Sequence, residues 1–367
     1  MLGGWLVQYA SWRWVFFLNV PLAAIALIVL FWRVPESRDE DASARLDWWG
    51  ILLETLALGA LVYGLIQAGS LGLGSPIVLG MLAVGMVALI AFLLVEAHSS
   101  APMVPLTLFR SPTFSGANLL TFLLYGALSG ITYYLPFNFI QVQGYTPTFA
   151  GAAFVPFSLI MFLLSRWAGG LVNRFGAKLP LVVGPVITAL GFALFAVPGI
   201  TSGPGSFWTT FFPAVVVMGL GMTITVAPLT TAVMGAVEQR HAGIASGINN
   251  AVSRVAGLLA IAIFGLVVLS VFTSSLDSHL ATLHLSPGVQ QAIEMQRVKL
   301  AAITLPTNVS SQTQAALKNA IDESFVSSFR LVALICTILA LASALSAWLL
   351  VAGKKSAPAG STVKGSG

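Results

Sequence analysis

Nine long apolar runs, separated by short polar connectors, fill nearly the whole chain, near residues 14–33, 48–69, 76–96, 115–139, 149–172, 179–199, 208–233, 244–271 and 326–351. A helix needs about 20 apolar residues to cross roughly 30 Å of hydrocarbon, which is the length these runs have. They are continuous and do not alternate apolar with polar residues, so they read as helices rather than barrel strands. Composition closes off the soluble alternative: 57% of residues are hydrophobic and 8% are charged, against about 25% charged in an average soluble domain. The chain is predicted to be an all-α, polytopic membrane helix bundle. The opening stretch MLGGWLVQYA is too short to cross and lacks the charged region and cleavage signal of a signal peptide. It reads as the outer end of a helix whose beginning lies outside this sequence.

Orientation follows from lysine and arginine. Connectors of one parity hold Arg33, Arg38, Arg45, Arg110, Arg174, Lys178 and Arg240, and the tail adds Lys354, Lys355 and Lys364. Short connectors of the other parity carry only Arg13. Positive residues stay inside, which predicts a cytoplasmic C-terminus and an external segment at 272–325. Trp12, Trp14 and Trp208 then fall at the outer interface, and Trp32, Trp48, Trp49 and Trp348 at the inner one, as aromatic belts do. Within 272–325, Ser286-Pro287 marks a helix start. Leu317, Ile321 and Phe325 make an i, i+4, i+8 stripe on a second amphipathic piece, so a small helical cap on the outer surface is expected.

Several function classes find no support. The lone cysteine, Cys336, lies mid-span and suits a small buried hydrophobe. His98, His241, His279 and His284 are scattered through connectors without metal-ligand spacing. Membrane hydrolases and acyltransferases need a nucleophile with a base, or a metal cluster, at one depth, and no such set is visible. The basic residues do not cluster as nucleic-acid binding requires. No cofactor motif is recognised.

A family resemblance enters at GGLVNRFGAK, between the runs ending near 172 and starting near 179. It resembles the cytoplasmic signature of the major facilitator superfamily, G-x-L-x-D-R-x-G-R/K, through Gly169 or Gly170, Leu171, Arg174, Gly176 and Lys178, with Asn173 in place of the family's acid. In that family the acid helps latch a cytoplasmic gate, and Asn173 cannot supply that charge. LGGWLVQYASWRWVFFLNVP looks like the end of the antiporter motif on span five, with Gly3 and Gly4 as its last glycines. AGIASGINNAVSRVAGLLAIA resembles the penultimate span of fourteen-span drug:proton antiporters of the EmrB/QacA type. LDWWGILL and VPLTLFRSPTF flank an additional hairpin that twelve-span relatives lack. The resemblance implies a major facilitator fold lacking its first four spans. Residues 1–34 would be a remnant of the N-terminal bundle, 35–112 a cytoplasmic link and two-helix insert, 113–352 a C-terminal six-helix bundle, and 353–367 a cytoplasmic tail.

By the same resemblance the activity is secondary transport: proton-coupled efflux of hydrophobic or cationic drugs across a bacterial cytoplasmic membrane. The proton gradient replaces any cofactor. The partners are the lipid bilayer and small substrates, and the resemblance also admits an adaptor protein and an outer-membrane channel. A non-transporting membrane remnant or scaffold is the rival reading.

The resemblance makes the runs at 115–139 and 208–233 the cavity-lining helices. On the first, Asn118, Thr121, Tyr125, Ser129 and Thr132 recur at helical spacing and form one polar face. Either that face lines a cavity or it hydrogen-bonds neighbouring helices. On the second, Met218, Met222 and Thr225 share a face, with Pro228 just beyond. Thioethers suit loosely specified apolar cargo, and equally fill gaps in a core. Gly243, Gly247, Asn250, Arg254 and Gly257 share a small, polar face on the penultimate span, which places Arg254 in a packed interface or in the cavity. At roughly 1.5 Å per residue from Gly243, Arg254 attaches about 16 Å in. A charge at the centre of a span costs about 2.5–3.5 kcal/mol, so it should face protein or water. Arg166 is near enough to the cytoplasmic end to snorkel. Glu54, on the additional hairpin, lies away from the expected cavity, and Glu96 lies near the cytoplasmic end of its run.

Overall fold

The computed structural model describes residues 2–33, 47–99, 102–283, 285–306 and 309–353. The charged link at 34–46, His284 and the basic tail from Lys354 onward lie outside the described residues. Among the described residues every regular element is helical. The chain opens with α1 (Leu2–Tyr9), α2 (Arg13–Phe17) and α3 (Asn19–Arg33), followed by α4 (Trp48–Leu71) and α5 (Pro76–His98). Next come α6 (Pro112–Phe137), the short α7 (Pro147–Ala152), α8 (Val155–Phe175) and α9 (Lys178–Phe195). The remainder is α10 (Phe207–Thr210), α11 (Phe212–Gly235), α12 (Ala242–Leu280), α13 (Pro287–Glu294) and α14 (Ser311–Leu350). Nine segments of the described residues are long and apolar enough to cross a membrane, and each overlaps one of the predicted runs.

Helix starts are written in the chain. Asp47 Oδ1 accepts the Gly50 N–H at 2.8 Å and caps α4. Ser111 caps α6 through the Phe114 N–H, with Pro112 in the first turn, where its missing N–H costs nothing. Ser310 caps α14 through the Thr313 N–H.

Six long helices pack together. α6 lies against both α12 and α14, α9 against α11 and α14, and α8 mainly against α11. α4 and α5 form a hairpin that reaches the bundle through α4 and α12, and α1 rests on α7. The close approach of α9 and α11 rests on glycines, among them Gly184 and Gly221. A Cβ on Gly184 would collide with Thr225 Oγ1, and one on Gly221 with Thr188 Oγ1. Small residues of this kind let helix backbones come together in lipid. Cys336 is fully buried, as expected, with its Sγ 3.2 Å from the Ala127 carbonyl. α3, in contrast, buries none of its residues.

The end of the bundle that holds residues 272–325 departs from the sequence reading. α12 and α14 run 39 and 40 residues, well past the apolar runs. Leu317, Ile321 and Phe325 therefore belong to the same helix as the last span and do not form a separate surface piece. The reason is continuity: no Gly or Pro separates Ser311 from Phe325, and the buried stripe goes on through Phe329, Val332 and Cys336. α12 does the same through Val268, Phe272, Leu276 and Leu280. Asp322, buried within α14, is offset by Lys318 one turn earlier. The Lys318 ammonium donates to Asp322 Oδ1 at 2.6 Å and to the Gln141 carbonyl at 2.8 Å. α13 starts after Ser286 as predicted. Beyond it, Arg297 pairs with Asp277 and with Glu294, and the Asp277 hydrogen bond holds its guanidinium above the ordinary arginine pKa.

A polar knot at the end of α6 is also new. Asn138 and Gln143 are buried on either side of a single π turn, Asn138–Val142. The Gln143 amide donates to Asn138 Oδ1 at 2.9 Å and to the Gly199 carbonyl at 3.0 Å. Its oxygen accepts from the Thr201 N–H and hydroxyl, so every hydrogen-bonding group on this buried side chain is used.

Candidate functional site

The polar face of α6 points toward α12 and α11. Asn118 and Thr121 are buried, and each donates to its own helix, Asn118 to the Phe114 carbonyl and Thr121 to the Ala117 carbonyl. Their remaining acceptors are taken by one group on α12. Asn249 Nδ2 donates to Asn118 Oδ1 at 3.1 Å and to Thr121 Oγ1 at 2.7 Å. One turn further along α6, Tyr125 lines a cavity of about 220 Å³. α11 supplies Val226, Leu229 and Thr230 to its wall, and α12 supplies Ser246, Asn249, Asn250 and Ser253.

The chemistry of this cavity is neutral. No carboxylate, lysine, arginine or histidine is among its lining residues. Asn250 and Ser253 each donate to a carbonyl of α12 itself. Such a wall binds by apolar contact and uncharged hydrogen bonds, and it offers no nucleophile paired with a base. At about 220 Å³ it is smaller than the roughly 300–1,000 Å³ of pockets that enclose a drug-sized ligand. It can receive only part of such a molecule.

Of the residues singled out from sequence, Tyr125 and Asn250 line the cavity. Asn118 and Thr121 stand behind it, in helix–helix hydrogen bonds. Ser129 packs where Gly257 leaves room for it, and Thr132 donates to the Leu128 carbonyl. Met218, Met222 and Thr225 take the packing alternative of the two that their face allowed. All three are buried, Met218 against Gly191 and Thr225 against Gly184 of α9, so this face of α11 serves packing and not the cavity. The cavity-facing residues of α11 lie instead on the stripe Val226, Leu229, Thr230 and Val233.

Arg254 lies neither in a packed interface nor in the cavity. It is exposed one turn beyond Asn250, with no hydrogen-bond or ion-pair partner among the described residues. Gly243, Gly247 and Asn250 share its exposed face, and no atom lies within 4 Å of a Cβ built on either glycine. Sequence reasoning passed over Asn249, although Ser246, Asn249, Asn250 and Ser253 follow the i, i+3, i+4, i+7 spacing of a single helix face.

The signature stretch spans the turn from α8 to α9. Gly176 ends α8 at φ 75°, a conformation other residues rarely adopt, and its N–H bonds the Val172 carbonyl. Arg174 lies over the Phe175 ring, and Lys178 opens α9. Gly169, Gly170 and Asn173 are exposed on α8, with Arg166 on the same helix, whose only buried residue is Ala168. At the other end of the chain, Gly4 lets α1 touch the backbone of α7. A Cβ there would collide with the Pro147 carbonyl oxygen, and Gln8 Oε1 accepts the Thr148 N–H nearby.

Comparison with known proteins decides the family. Residues 1–261 match the family model of the Major Facilitator Superfamily. The chain belongs to the major facilitator superfamily. It is 34% identical over 285 residues to the multidrug resistance protein Stp of Mycobacterium tuberculosis, covering 76% of this chain and 51% of that protein. It is 29% identical over 349 residues to the tetracenomycin C resistance and export protein of Streptomyces glaucescens, covering 94% of this chain and 64% of that protein. The lincomycin resistance protein of Streptomyces lincolnensis is 30% identical over 266 residues, 72% of this chain and 54% of the relative. The chain spans about half the length of the curated relatives it matches. These relatives carry the names of resistance and export proteins, not of enzymes. This major facilitator chain is thus a multi-pass membrane protein whose relatives are bacterial.

Proposed function

We propose that this chain forms the cargo-facing C-terminal part of a secondary transporter that exports hydrophobic compounds from a bacterial cell. The observation that carries the proposal is the neutral, half-apolar recess between α6, α11 and α12, open to a molecule but too small to enclose one. A cavity of this kind takes cargo near the middle of the bilayer and is closed by a second bundle rocking against the first. The exposed face Gly243, Gly247, Asn250 and Arg254, beside the recess, suits that role. A charge at this depth is far cheaper against protein or water than against lipid. The exposed Gly169 and Gly170, with open space above both, give α8 a comparable surface.

The names of the relatives, multidrug resistance and tetracenomycin C resistance and export among them, favour efflux over uptake. The finer reading is a fourteen-span drug:proton antiporter in the cytoplasmic membrane, with the C-terminus inside and the first four spans outside this sequence. It rests on the motif resemblance and on the lysine and arginine asymmetry. Hydrophobic cargo fits the recess better than cationic cargo, because no acid lines it. An adaptor protein and an outer-membrane channel belong to this reading on resemblance alone.

The test is efflux of a lipophilic dye from cells producing the protein. Tyr125→Ala and Asn250→Leu, at equal membrane abundance, should each slow efflux several-fold. A protonophore should abolish efflux in the unmodified protein. Efflux that ignores both substitutions would remove the recess from the transport path, and efflux that ignores the protonophore would remove proton coupling. No efflux of any tested dye by the unmodified protein would favour a non-transporting scaffold.

A further inference from the structure

Asp47 and Glu96 meet at the foot of the α4–α5 hairpin, away from the recess. Asp47 uses Oδ1 to accept the Gly50 N–H at 2.8 Å. Glu96, in the last turn of α5, is 3% exposed, and its Oε2 accepts the Val104 N–H at 3.0 Å from the connector leading to α6. Each carboxyl group therefore has one oxygen satisfied by the backbone. The other oxygen of each, Asp47 Oδ2 and Glu96 Oε1, is buried without a hydrogen-bond partner among the described residues. Both face the same point, because each lies 3.0 Å from the position a Cβ on Gly50 would take. Gly50 keeps that space empty.

Among the described residues, no lysine, arginine or histidine forms an ion pair with either carboxyl group. Glu54, further along α4, is close enough to repel a charge on Glu96. His98, beyond Glu96 on α5, is exposed and turns Nδ1 to the Leu94 carbonyl at 2.9 Å. Two buried anionic oxygens bordering one small space without a donor are strongly disfavoured. Among the described residues, what is missing is one donor for two acceptors.

A single proton meets that need. Placed on Glu96 Oε1, it makes an O–H that donates to Asp47 Oδ2, removes one negative charge and leaves neither oxygen unpartnered. A hard divalent cation fits less well, since it takes about six or more oxygen ligands and only two are free here. We propose that Asp47 and Glu96 form a proton-binding site in which two carboxyl groups share one proton. The proton is taken from water and returned to it. The shared proton ties the start of α4 to the end of α5, and Val104 extends the tie to the segment before α6.

Infrared difference spectroscopy of the purified 367-residue chain at neutral pH, in H2O and D2O, tests the site. Glu96→Gln keeps the shape: its amide N–H can donate to Asp47 Oδ2 while its carbonyl still accepts the Val104 N–H. The unmodified chain should show a carboxylic C=O stretch that shifts in D2O and is missing from Glu96→Gln and from Asp47→Asn. Gly50→Ala alters no titratable group but sets a methyl group between the two oxygens, and it should shift or abolish the same band. Thermal unfolding should distinguish a local loss from a misfolded variant, with Glu96→Gln retaining the unmodified midpoint and Glu96→Ala unfolding lower. A spectrum that is the same before and after Glu96→Gln would mean two ionised carboxylates and would overturn the proposal. A band that survives both Glu96→Gln and Asp47→Asn belongs to other carboxyl groups and overturns it equally.

Discussion

Asn249 on α12 donates through one amide nitrogen to Thr121 at 2.7 Å and to Asn118 at 3.1 Å, joining two adjacent turns of α6. Both acceptors are buried, Thr121 completely. The same residue lines the recess, so it is at once a structural bridge and part of the cargo-facing wall. This explains why the polar face of α6 resists a simple division into packing and binding residues. Its first turns bond to α12, and the next, at Tyr125, opens to the cavity.

The bridge should be measurable. Asn249→Ala removes the donor and leaves two buried acceptors facing each other, which costs about 1–3 kcal/mol. Asn249→Asp should cost more, because a carboxylate cannot donate and brings a charge as well. Denaturation midpoints in detergent would report both, and an unchanged midpoint in Asn249→Ala would mean that the bridge contributes no stability.

The glycines divide into two groups. Gly184→Ala and Gly221→Ala each force a methyl group into the opposing threonine hydroxyl, and overpacking of this kind costs about 1–3 kcal/mol. Gly169→Ala and Gly170→Ala meet nothing within 4 Å and remove glycine from a helix interior, which favours the helix by about 1 kcal/mol each. The first pair should lower the unfolding temperature and the second pair should hold or raise it. If Gly169→Ala and Gly170→Ala retain stability yet lose efflux, those glycines face a partner surface during transport.

Much of this architecture was legible because lipid leaves few choices. Apolar length located the nine spans found among the described residues, and Ser286-Pro287 located the start of α13. The lengths of α12 and α14 were not legible from hydropathy, since their outer turns are amphipathic and are held by contacts such as Lys318 with Gln141. At the site, spacing identified a polar face on α6 but could not choose its partner, because Asn249 and Asn250 both line the recess and only Asn249 reaches Asn118 and Thr121. For Met218 and Met222 the choice between cavity and core stayed open for a related reason. Periodicity shows that residues share a face, and only the position of α9 shows which face is covered.

Orientation can be read with two cysteines. The native Cys336 is buried and adds no background. Ser310 precedes α14 and Gly353 follows it, and both are exposed, so they lie at opposite ends of one long helix. The lysine and arginine asymmetry predicts that Ser310→Cys reacts with a membrane-impermeant thiol reagent in intact cells and Gly353→Cys reacts only after permeabilisation. The reverse pattern would invert the proposed topology.

Arg254 offers the sharpest test of the link between structure and transport. It stands about 18 Å along α12 at roughly 1.5 Å per residue, exposed, with no partner among the described residues. Within this chain, therefore, Arg254→Ala breaks no described hydrogen bond or ion pair, and the denaturation midpoint should stay where it is. Membrane insertion should become easier, because a charge at the centre of a span costs about 2.5–3.5 kcal/mol. In the transporting protein the proposal gives the opposite result. If the Arg254 face meets a second bundle, Arg254→Ala should abolish dye efflux at equal abundance. Arg254→Lys should restore only part of it, since an ammonium keeps the charge but lacks the planar fork of donors. Loss of efflux with an unchanged midpoint would assign Arg254 to the moving interface. Full efflux by Arg254→Ala would show that its exposed face has no partner in transport, and the reading of that face as a bundle contact would fail.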